Sequence, residues 1–447
     1  CPINPNLVNM HRRSFIQKTF LATAGMSLLN SFYLSAEAAG TAAVNSARIE
    51  QRILELAKFG RDANGHGYRV AYTQGDIEGR AWFMNLMKQA GLDPTIDAGG
   101  NIIGKRKGRN PALKPIAFGS HIDMVPDGGN YDGTLGSIGA LEVIEILNEN
   151  KITTEHPLEV IIFGNEEGGT IGSRAMTSGL TKEGLLQKSQ SGLTMAEGIT
   201  AIGGRPDDIA GTVRKKGDIK AFLELHIEQG GILEREKIQI GVVEGIVGIV
   251  RWDVMVEGFA NHAGATPMNM RQDALLAASK FIVAANEVIN SVPGSQVGTV
   301  GKLAVQPGAY NVIPGKVILG LEIRDLSAEK IERLFGEIEK RAAAIASASG
   351  TMITFARQAN ESMPALTDKS LQQIIDKTAK SLGFTTKFMQ SGAGHDSQHM
   401  ADIVPVAMIF IPSIGGISHS PKEFSTTADM TNGVNVLLNT IMAVDKG

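Results

Sequence analysis

Between residues 112 and 167 the chain reads ALKPIAFGSHID, later GALEVIEILNEN, and then LEVIIFGNEE. The first and third runs are short, apolar and closed by ionisable residues, whereas the middle one has apolar residues at helical spacing. A strand–helix–strand order commits the segment to an α/β layer structure, because the strands share a sheet whose face the helix covers. It also puts polar side chains at strand ends, where such sheets hold their ligands. The same apolar-to-polar transition recurs at AFLELHIEQG (221–230), and VPVAMIFIPS (404–413) closes the pattern.

Elsewhere, residues 46–61 and 79–92 have helical periodicity, the second stretch ending near Gly91, a suitable C-cap. GNIIGKRKG adds a short strand before residue 112. The segment around 248–260 alternates as a half-exposed strand does. It is followed by a helix at 271–289, strands at 297–306 and 316–324, the helical LSAEKIERLFGEIEKRAAAIA and the strand TMITFAR. That order predicts a small α+β sandwich of the split βαβ kind. At 447 residues the chain is long enough for two domains. The expected division is an N-terminal extension at 1–40, a catalytic domain at 41–247 and 361–447, and an inserted domain at 248–360.

Composition narrows the chemistry. The formal net charge is -3, and the basic clusters KRKGR and RKKGDIK are short and lack interleaved aromatics, so they read as solvated loops and no nucleic-acid partner is expected. The one cysteine, Cys1, excludes an intrachain disulfide and any cysteine metal site. A metal ion must then be held by histidine and carboxylate. Near the N-terminus, Arg12 and Arg13 precede an apolar run at about 20–34 and the A-x-A-like Ala36-Glu37-Ala38. This resembles a twin-arginine signal, which exports folded protein, so a periplasmic location is expected, with the cytoplasm as the alternative. The run is too short and interrupted for stable membrane insertion after signal removal.

The strand ends supply the candidate site. His121 and Asp123 close one apolar run, and Asp132 follows in a glycine-rich loop. Glu166 and Glu167 close the next run, His226 another, and His419 sits in GISHSPKEF after the last. On extended backbone His121 and Asp123 point the same way, so Asp123 is expected to orient the second ring nitrogen of His121. Of two adjacent glutamates, one can ligate while the other stands over a bound water. Singly, each residue has an ordinary reading: a hydrogen-bonded histidine, a turn aspartate, a solvated acidic edge. Together they predict a histidine/carboxylate metal site, with one carboxylate joining two ions.

GSHIDMVPDGGNYDGTLGSIGALEVI, FGNEEGGTIGSR, LELHIEQG, GFANHAGATPM, NVIPGKVILGLEIRD, SGAGHDSQHM and IGGISHSPKEF, in that order, resemble the M20-type metallohydrolases, in the hydantoinase/carbamoylase branch. The resemblance runs over about residues 46–445. It implies an α/β mixed-sheet metallohydrolase catalytic domain with an inserted α+β lid and dimerisation domain, two divalent ions (zinc, or manganese, cobalt or nickel) and a homodimer. By the same resemblance His121, Asp132, Glu167, His226 and His419 are the ligands, with Asp132 as bridge, and Glu166 is the general base. His262 resembles the lid histidine that meets the oxyanion, often in the partner's site. Gln229, Asn311 and Arg324 resemble substrate-binding residues, the last two gripping a carboxylate, and His395 resembles a further pocket residue.

The implied activity is hydrolysis of a linear ureido or carbamoyl C–N bond in a small carboxylate, such as an N-carbamoyl amino acid, allantoate or ureidoglycolate. An M20-type aminoacylase or dipeptidase would share the metals but release a different fragment. A non-catalytic periplasmic binding protein for small carboxylates is the alternative of another class. It predicts a broken ligand set or a missing base, and both glutamates and every ligand are present.

Overall fold

The structure is a computed structural model and describes residues 43–359 and 361–447. The leader-like segment and Cys1 lie outside the described residues. In chain order the strands are β1 (Asp93–Ile96), β2 (Ile102–Arg106), β3 (Ile116–His121), β4 (Leu158–Phe163), β5 (Ala221–Ile227) and β6 (Ile240–Ile246). Next come β7 (Gly248–Glu257), β8 (Asn261–His262), β9 (Val297–Gln306), β10 (Val312–Ile313), β11 (Lys316–Asp325) and β12 (Met352–Arg357). The last are β13 (Ala365–Leu366), β14 (Thr386–Ser391) and β15 (Val406–Ile411).

The main sheet runs in the order β1-β2-β4-β3-β5-β15-β6-β13, with β14 also pairing to β6. Its middle, β4-β3-β5-β15, is parallel, and antiparallel strands flank it. Every residue of β3, β4, β5 and β15 is buried, so these strands read as continuous apolar runs with helices on the sheet faces. The helix Thr134–Glu149 is buried nearly all round. Glycine lets it lie close to the sheet: a Cβ at Gly136 would stand 2.2 Å from the Leu225 carbonyl oxygen. Thr426 caps the helix Thr427–Lys446, its hydroxyl oxygen accepting the Asp429 N–H, and this helix packs beside Thr134–Glu149 on the same sheet.

Residues 248–357 build a separate antiparallel sheet, β12-β7-β11-β9. The helices Ala274–Asn290 and Ala328–Ser349 cover one of its faces, and Trp252, Val254, Val256, Leu319, Leu321, Phe281 and Leu334 form the core between. Alternation along β11 is strict, with Val317, Leu319, Leu321 and Ile323 inward and Glu322 and Arg324 on the other face. The fourth strand lies beside the first and the third beside the second, the split βαβ arrangement expected from the element order. The helix predicted from residue 79 starts earlier, at Gln74, because Thr73 has the extended backbone of an N-cap; it still ends before Gly91, which takes φ +78°. No helix among the described residues is long and apolar enough to cross a membrane.

Candidate metal centre

The four parallel strands deliver their C-terminal ends to one edge of the sheet. His121 is the last residue of β3 and His226 the penultimate residue of β5. Glu166 and Glu167 occupy the turn just beyond β4, His419 the loop after β15, and Asp132 the loop between β3 and the helix Thr134–Glu149. Ligand sites of open α/β sheets form at such an edge.

Asp132 stands at the centre of the cluster. Its Oδ1 lies 3.1 Å from His226 Nε2 and 3.5 Å from His121 Nε2, while Oδ2 lies 3.3 Å from His419 Nε2. Glu167 Oε2 is 3.4 Å from the same His419 nitrogen. Two donor sets result, His121/Asp132/His226 and Asp132/Glu167/His419, with ligand atoms in each set lying within 4.8 Å of one another. Asp132 belongs to both, one oxygen to each, as a bridging carboxylate requires.

The outer ring nitrogens decide how the inner ones behave. His121 Nδ1 donates to the Asp123 carbonyl at 3.1 Å, and His226 Nδ1 donates to the Ile227 carbonyl at 2.9 Å. Those bonds keep a proton on Nδ1, and the Gly133 N–H directed at His226 Nε2 (3.2 Å) agrees with that tautomer. Both inner nitrogens then aim lone pairs at a carboxylate inside a site that is almost fully buried. Such an arrangement is repulsive unless a cation or a proton lies between. The donor set therefore fits divalent ions that accept imidazole and carboxylate.

Charge densities in the cluster tell the same story. Burial opposes an imidazolium at His121, yet Glu166, Asp132 and Asp123 push its pKa well above the usual value. His226 is likewise raised by Asp132 against its burial. Contact with Asp132 raises His419 to about 9. Burial and the neighbouring Asp132 charge raise Glu167 to about 8, and burial with nearby carboxylates raises Glu166 well above the carboxylate range. Asp132 goes the other way, its burial outweighed by three histidines that hold it well below its ordinary value. Excess negative charge thus retains protons wherever no cation sits.

The Asp123 carboxylate does something other than expected. It lies 3.7 Å from His121 Nδ1, and the Asp123 backbone carbonyl takes that hydrogen bond instead. Its two oxygens accept the Glu166 and Glu167 N–H groups at 3.2 and 3.1 Å. Past the end of β4 those amides have no strand partner, so a buried carboxylate satisfies them and fixes the turn that carries both glutamates. Gln229, at φ +58°, donates from Nε2 to Asp132 Oδ2 at 2.5 Å. Its amide oxygen is buried without a partner, an acceptor turned into the site. His395 is buried beneath His226, ring centroids 4.5 Å apart and edge-on, with Nε2 2.8 Å from Ser391 Oγ.

The remaining candidates lie on the 248–357 segment. His262 and Asn311 are exposed on the β8–β10 ribbon. His262 Nδ1 accepts the Gly264 and Ala265 N–H groups at 3.0 and 3.1 Å, so its proton resides on Nε2, an outward donor. Arg324, on β11, donates from Nε to Glu322 and from Nη1 to the Gly392 carbonyl at 2.7 Å, bonding across to the loop that carries His395.

Three contributors escaped the reading of the chain. Glu423 Oε1 accepts the Tyr131 and Asp132 N–H groups at 2.8 and 3.1 Å, and its Oε2 lies 2.8 Å from Ser418 Oγ, so it ties the loop of Asp132 to the loop of His419. Gly133 takes φ +60°, and a Cβ there would stand 2.3 Å from the His121 ring. Arg69 is 1% exposed and donates from Nε to the Ile122 carbonyl at 2.6 Å and from Nη1 to the Leu56 carbonyl at 2.9 Å. The Met124 N–H returns to the Arg69 carbonyl, so Arg69 brackets the His121–Asp123 turn from both sides. Only the positive φ of Gly133 has a local signal, a glycine directly after the aspartate of a turn; Glu423 acts across 292 and 291 residues, and Arg69 across 53 and 13.

Known proteins resemble this chain over most of its length. Peptidase family M20/M25/M40 matches residues 117–443. An N-carbamoyl-L-amino acid amidohydrolase of Geobacillus stearothermophilus is 38% identical over 409 residues, 90% of this chain and 100% of that protein. A ureidoglycolate hydrolase of Arabidopsis thaliana is 38% identical over 416 residues, 90% of this chain and 87% of that protein. Among solved structures, an amidase of the hydantoinase/carbamoylase family from Burkholderia multivorans superposes with a TM-score of 0.85 at 34% identity, covering 91% of this chain and 99% of that one.

Proposed function

The chain belongs to peptidase family M20/M25/M40, in its hydantoinase/carbamoylase branch, and is a hydrolase of C–N bonds other than peptide bonds; from that premise we propose that it cleaves a ureido or carbamoyl C–N bond in a small carboxylate substrate. N-carbamoyl amino acids, allantoate and ureidoglycolate are the substrates to compare. The observation that carries the reading is the pair of donor sets sharing Asp132, with Glu166 unshared beside them. His121, Asp132 and His226 would hold one divalent ion, and Asp132, Glu167 and His419 a second. Zinc, manganese, cobalt or nickel bound there supplies Lewis-acid polarisation of the scissile carbonyl and acidifies water.

The residues of the chain do the rest. Glu166 is buried and 3.7 Å from His121 Nε2, and its turn is held by Asp123. It takes a proton from water as the water oxygen bonds to the carbonyl carbon. It then delivers that proton to the leaving nitrogen as the C–N bond breaks. With a carbamoyl substrate the carbamic acid released falls to ammonia and carbon dioxide. The oxyanion that develops needs a donor, and His262 Nε2 offers one. Because His262 and Asn311 stand exposed on the β8–β10 ribbon, closure of the 248–357 segment or a second subunit has to bring them to the substrate. A homodimer joined through this segment is part of the proposal, as is export of the folded, metal-loaded protein to the periplasm. Arg324 is the cation for the substrate carboxylate, since its guanidinium is always charged and its Nη2 is not used in the hydrogen bonds to Glu322 and Gly392.

The test is ammonia release by the metal-loaded protein from N-carbamoyl-α-amino acids, N-carbamoyl-β-alanine, allantoate and ureidoglycolate, against N-acetyl amino acids and dipeptides. Turnover restricted to the acetyl or peptide substrates would overturn the proposal.

A further inference from the structure

Arg324 does not stand alone on its sheet face. Glu322 is two residues earlier on β11, so both side chains emerge from the face opposite the helices. Arg251 is directly opposite Glu322 on β7 and shares that face. Arg324 Nε lies 2.6 Å from Glu322 Oε1, and Arg251 Nε lies 2.6 Å from Glu322 Oε2. One carboxylate thus joins two guanidiniums. All three side chains are part-buried, at 25% exposure for Glu322, 27% for Arg324 and 37% for Arg251. Burial works against the Glu322 charge, but the two arginines hold its pKa below the usual carboxylate value.

Resting on the reading of Arg324 as the cation for the substrate carboxylate, we propose that Glu322 and Arg251 are positioning residues that fix Arg324 for carboxylate-bearing substrates. Glu322 anchors Nε, so the guanidinium plane cannot rotate freely about its long side chain. The Gly392 carbonyl holds Nη1, and among the described residues the hydrogen bonds of Arg324 leave Nη2 for a ligand. A lone Arg–Glu pair would be neutral and would offer an anion little. Arg251 opposite the same carboxylate restores a net charge of about +1 to the group, so the anchor does not cancel the attraction. The arrangement pre-orders the clamp and keeps it cationic.

Orientation and charge make opposite predictions for Glu322→Gln. The substitution makes the face more positive, so charge alone would tighten binding of an anion. Loss of the anchor weakens it, by about tenfold for one charge-assisted hydrogen bond. The experiment compares kcat and KM for an N-carbamoyl-α-amino acid and for its carboxamide analogue, in the full-length metal-loaded protein. Glu322→Gln is expected to raise KM about tenfold for the acid, with kcat changed less than about threefold and the carboxamide parameters unaltered. Arg251→Gln, which keeps the anchor but neutralises the group, is expected to raise KM for the acid as well, and it carries the test if Glu322→Gln does not fold. An unchanged or lower KM for the acid in Glu322→Gln, or an unchanged KM in Arg251→Gln, overturns the positioning proposal. Arg324→Gln separates the two levels. If it leaves the preference for acid over carboxamide intact, the assignment of Arg324 itself fails; if it abolishes that preference while the other two variants behave as the unmodified chain, only the positioning proposal fails.

Discussion

Replacing Gly133 by alanine isolates the geometric demand of the site. The residue takes φ +60° with ψ −44°, a sparsely populated conformation that costs an L-residue with a side chain roughly 1–3 kcal/mol. A Cβ there would also meet the His121 ring at 2.3 to 2.4 Å. Restoring a carbon–carbon separation of about 3.5 Å requires the ring to retreat by about 1 Å. Neither neighbour yields easily: His121 is held by Asp123, and Gly133 starts the helix packed on the sheet. Displacement of a reacting group by about 1 Å costs on the order of 100-fold in rate. Gly65→Ala is the matched control, since Gly65 has φ +85° and nothing within 4 Å of its added Cβ. Denaturant unfolding should show a loss of about 1–2 kcal/mol for Gly65→Ala, from its positive φ alone, and a larger loss for Gly133→Ala, whose Cβ also displaces a buried ring. Metal content and kcat should separate them, with Gly133→Ala losing about 100-fold in activity and binding metal more weakly, and Gly65→Ala keeping both. Equal behaviour of the two variants in metal binding and turnover would refute the claim that the bare backbone at Gly133 makes room for His121.

Glu166→Gln should retain its metal ions, because the donor sets do not include it, while kcat for ammonia release falls by about 10²–10⁴. Retained turnover would remove Glu166 as the base. Divalent ions should bind more tightly as pH rises from 6 to 9. Glu167 (about 8) and His419 (about 9) have raised values, carry protons below them, and must release those protons to ligate. Competition with a chromophoric chelator across that range measures it, and a pH-independent affinity would contradict the electrostatics described. Arg69→Met leaves the Ile122 carbonyl without its donor, whereas the Leu56 carbonyl keeps the Phe59 N–H, so the loss in urea unfolding should be about 1–3 kcal/mol. A loss below about 0.5 kcal/mol would mean that the buried guanidinium is not holding the turn.

What could be read from the chain, and what could not, divides by the range of the interaction. The strand ends that gather the histidines and carboxylates were legible because apolar runs such as LEVIIFGNEE declare both a buried strand and the polar residues that follow it. The split βαβ order of residues 248–357 was legible for the same reason, through strict alternation along β11 and the long amphipathic helix Ala328–Ser349. The part Asp123 plays at the glutamate turn was missed because two-residue spacing indicates which side a residue faces, and says nothing of donors in the turn after β4 that claim its oxygens. Glu423 was missed because its partners Tyr131 and Asp132 are 292 and 291 residues away. The Glu322–Arg251 pairing needed the register of β11 against β7, which periodicity does not supply.

The central claim is that one constellation, joined at Asp132, hydrolyses a ureido C–N bond with two ions. Titrating metal-free protein with manganese or zinc while recording ammonia release from an N-carbamoyl amino acid, allantoate or ureidoglycolate tests it most directly. The account predicts negligible release without metal, a plateau at about two equivalents per chain, and no recovery in Asp132→Asn. Full activity in the metal-free protein, or an Asp132→Asn variant that reaches the same plateau, would contradict it.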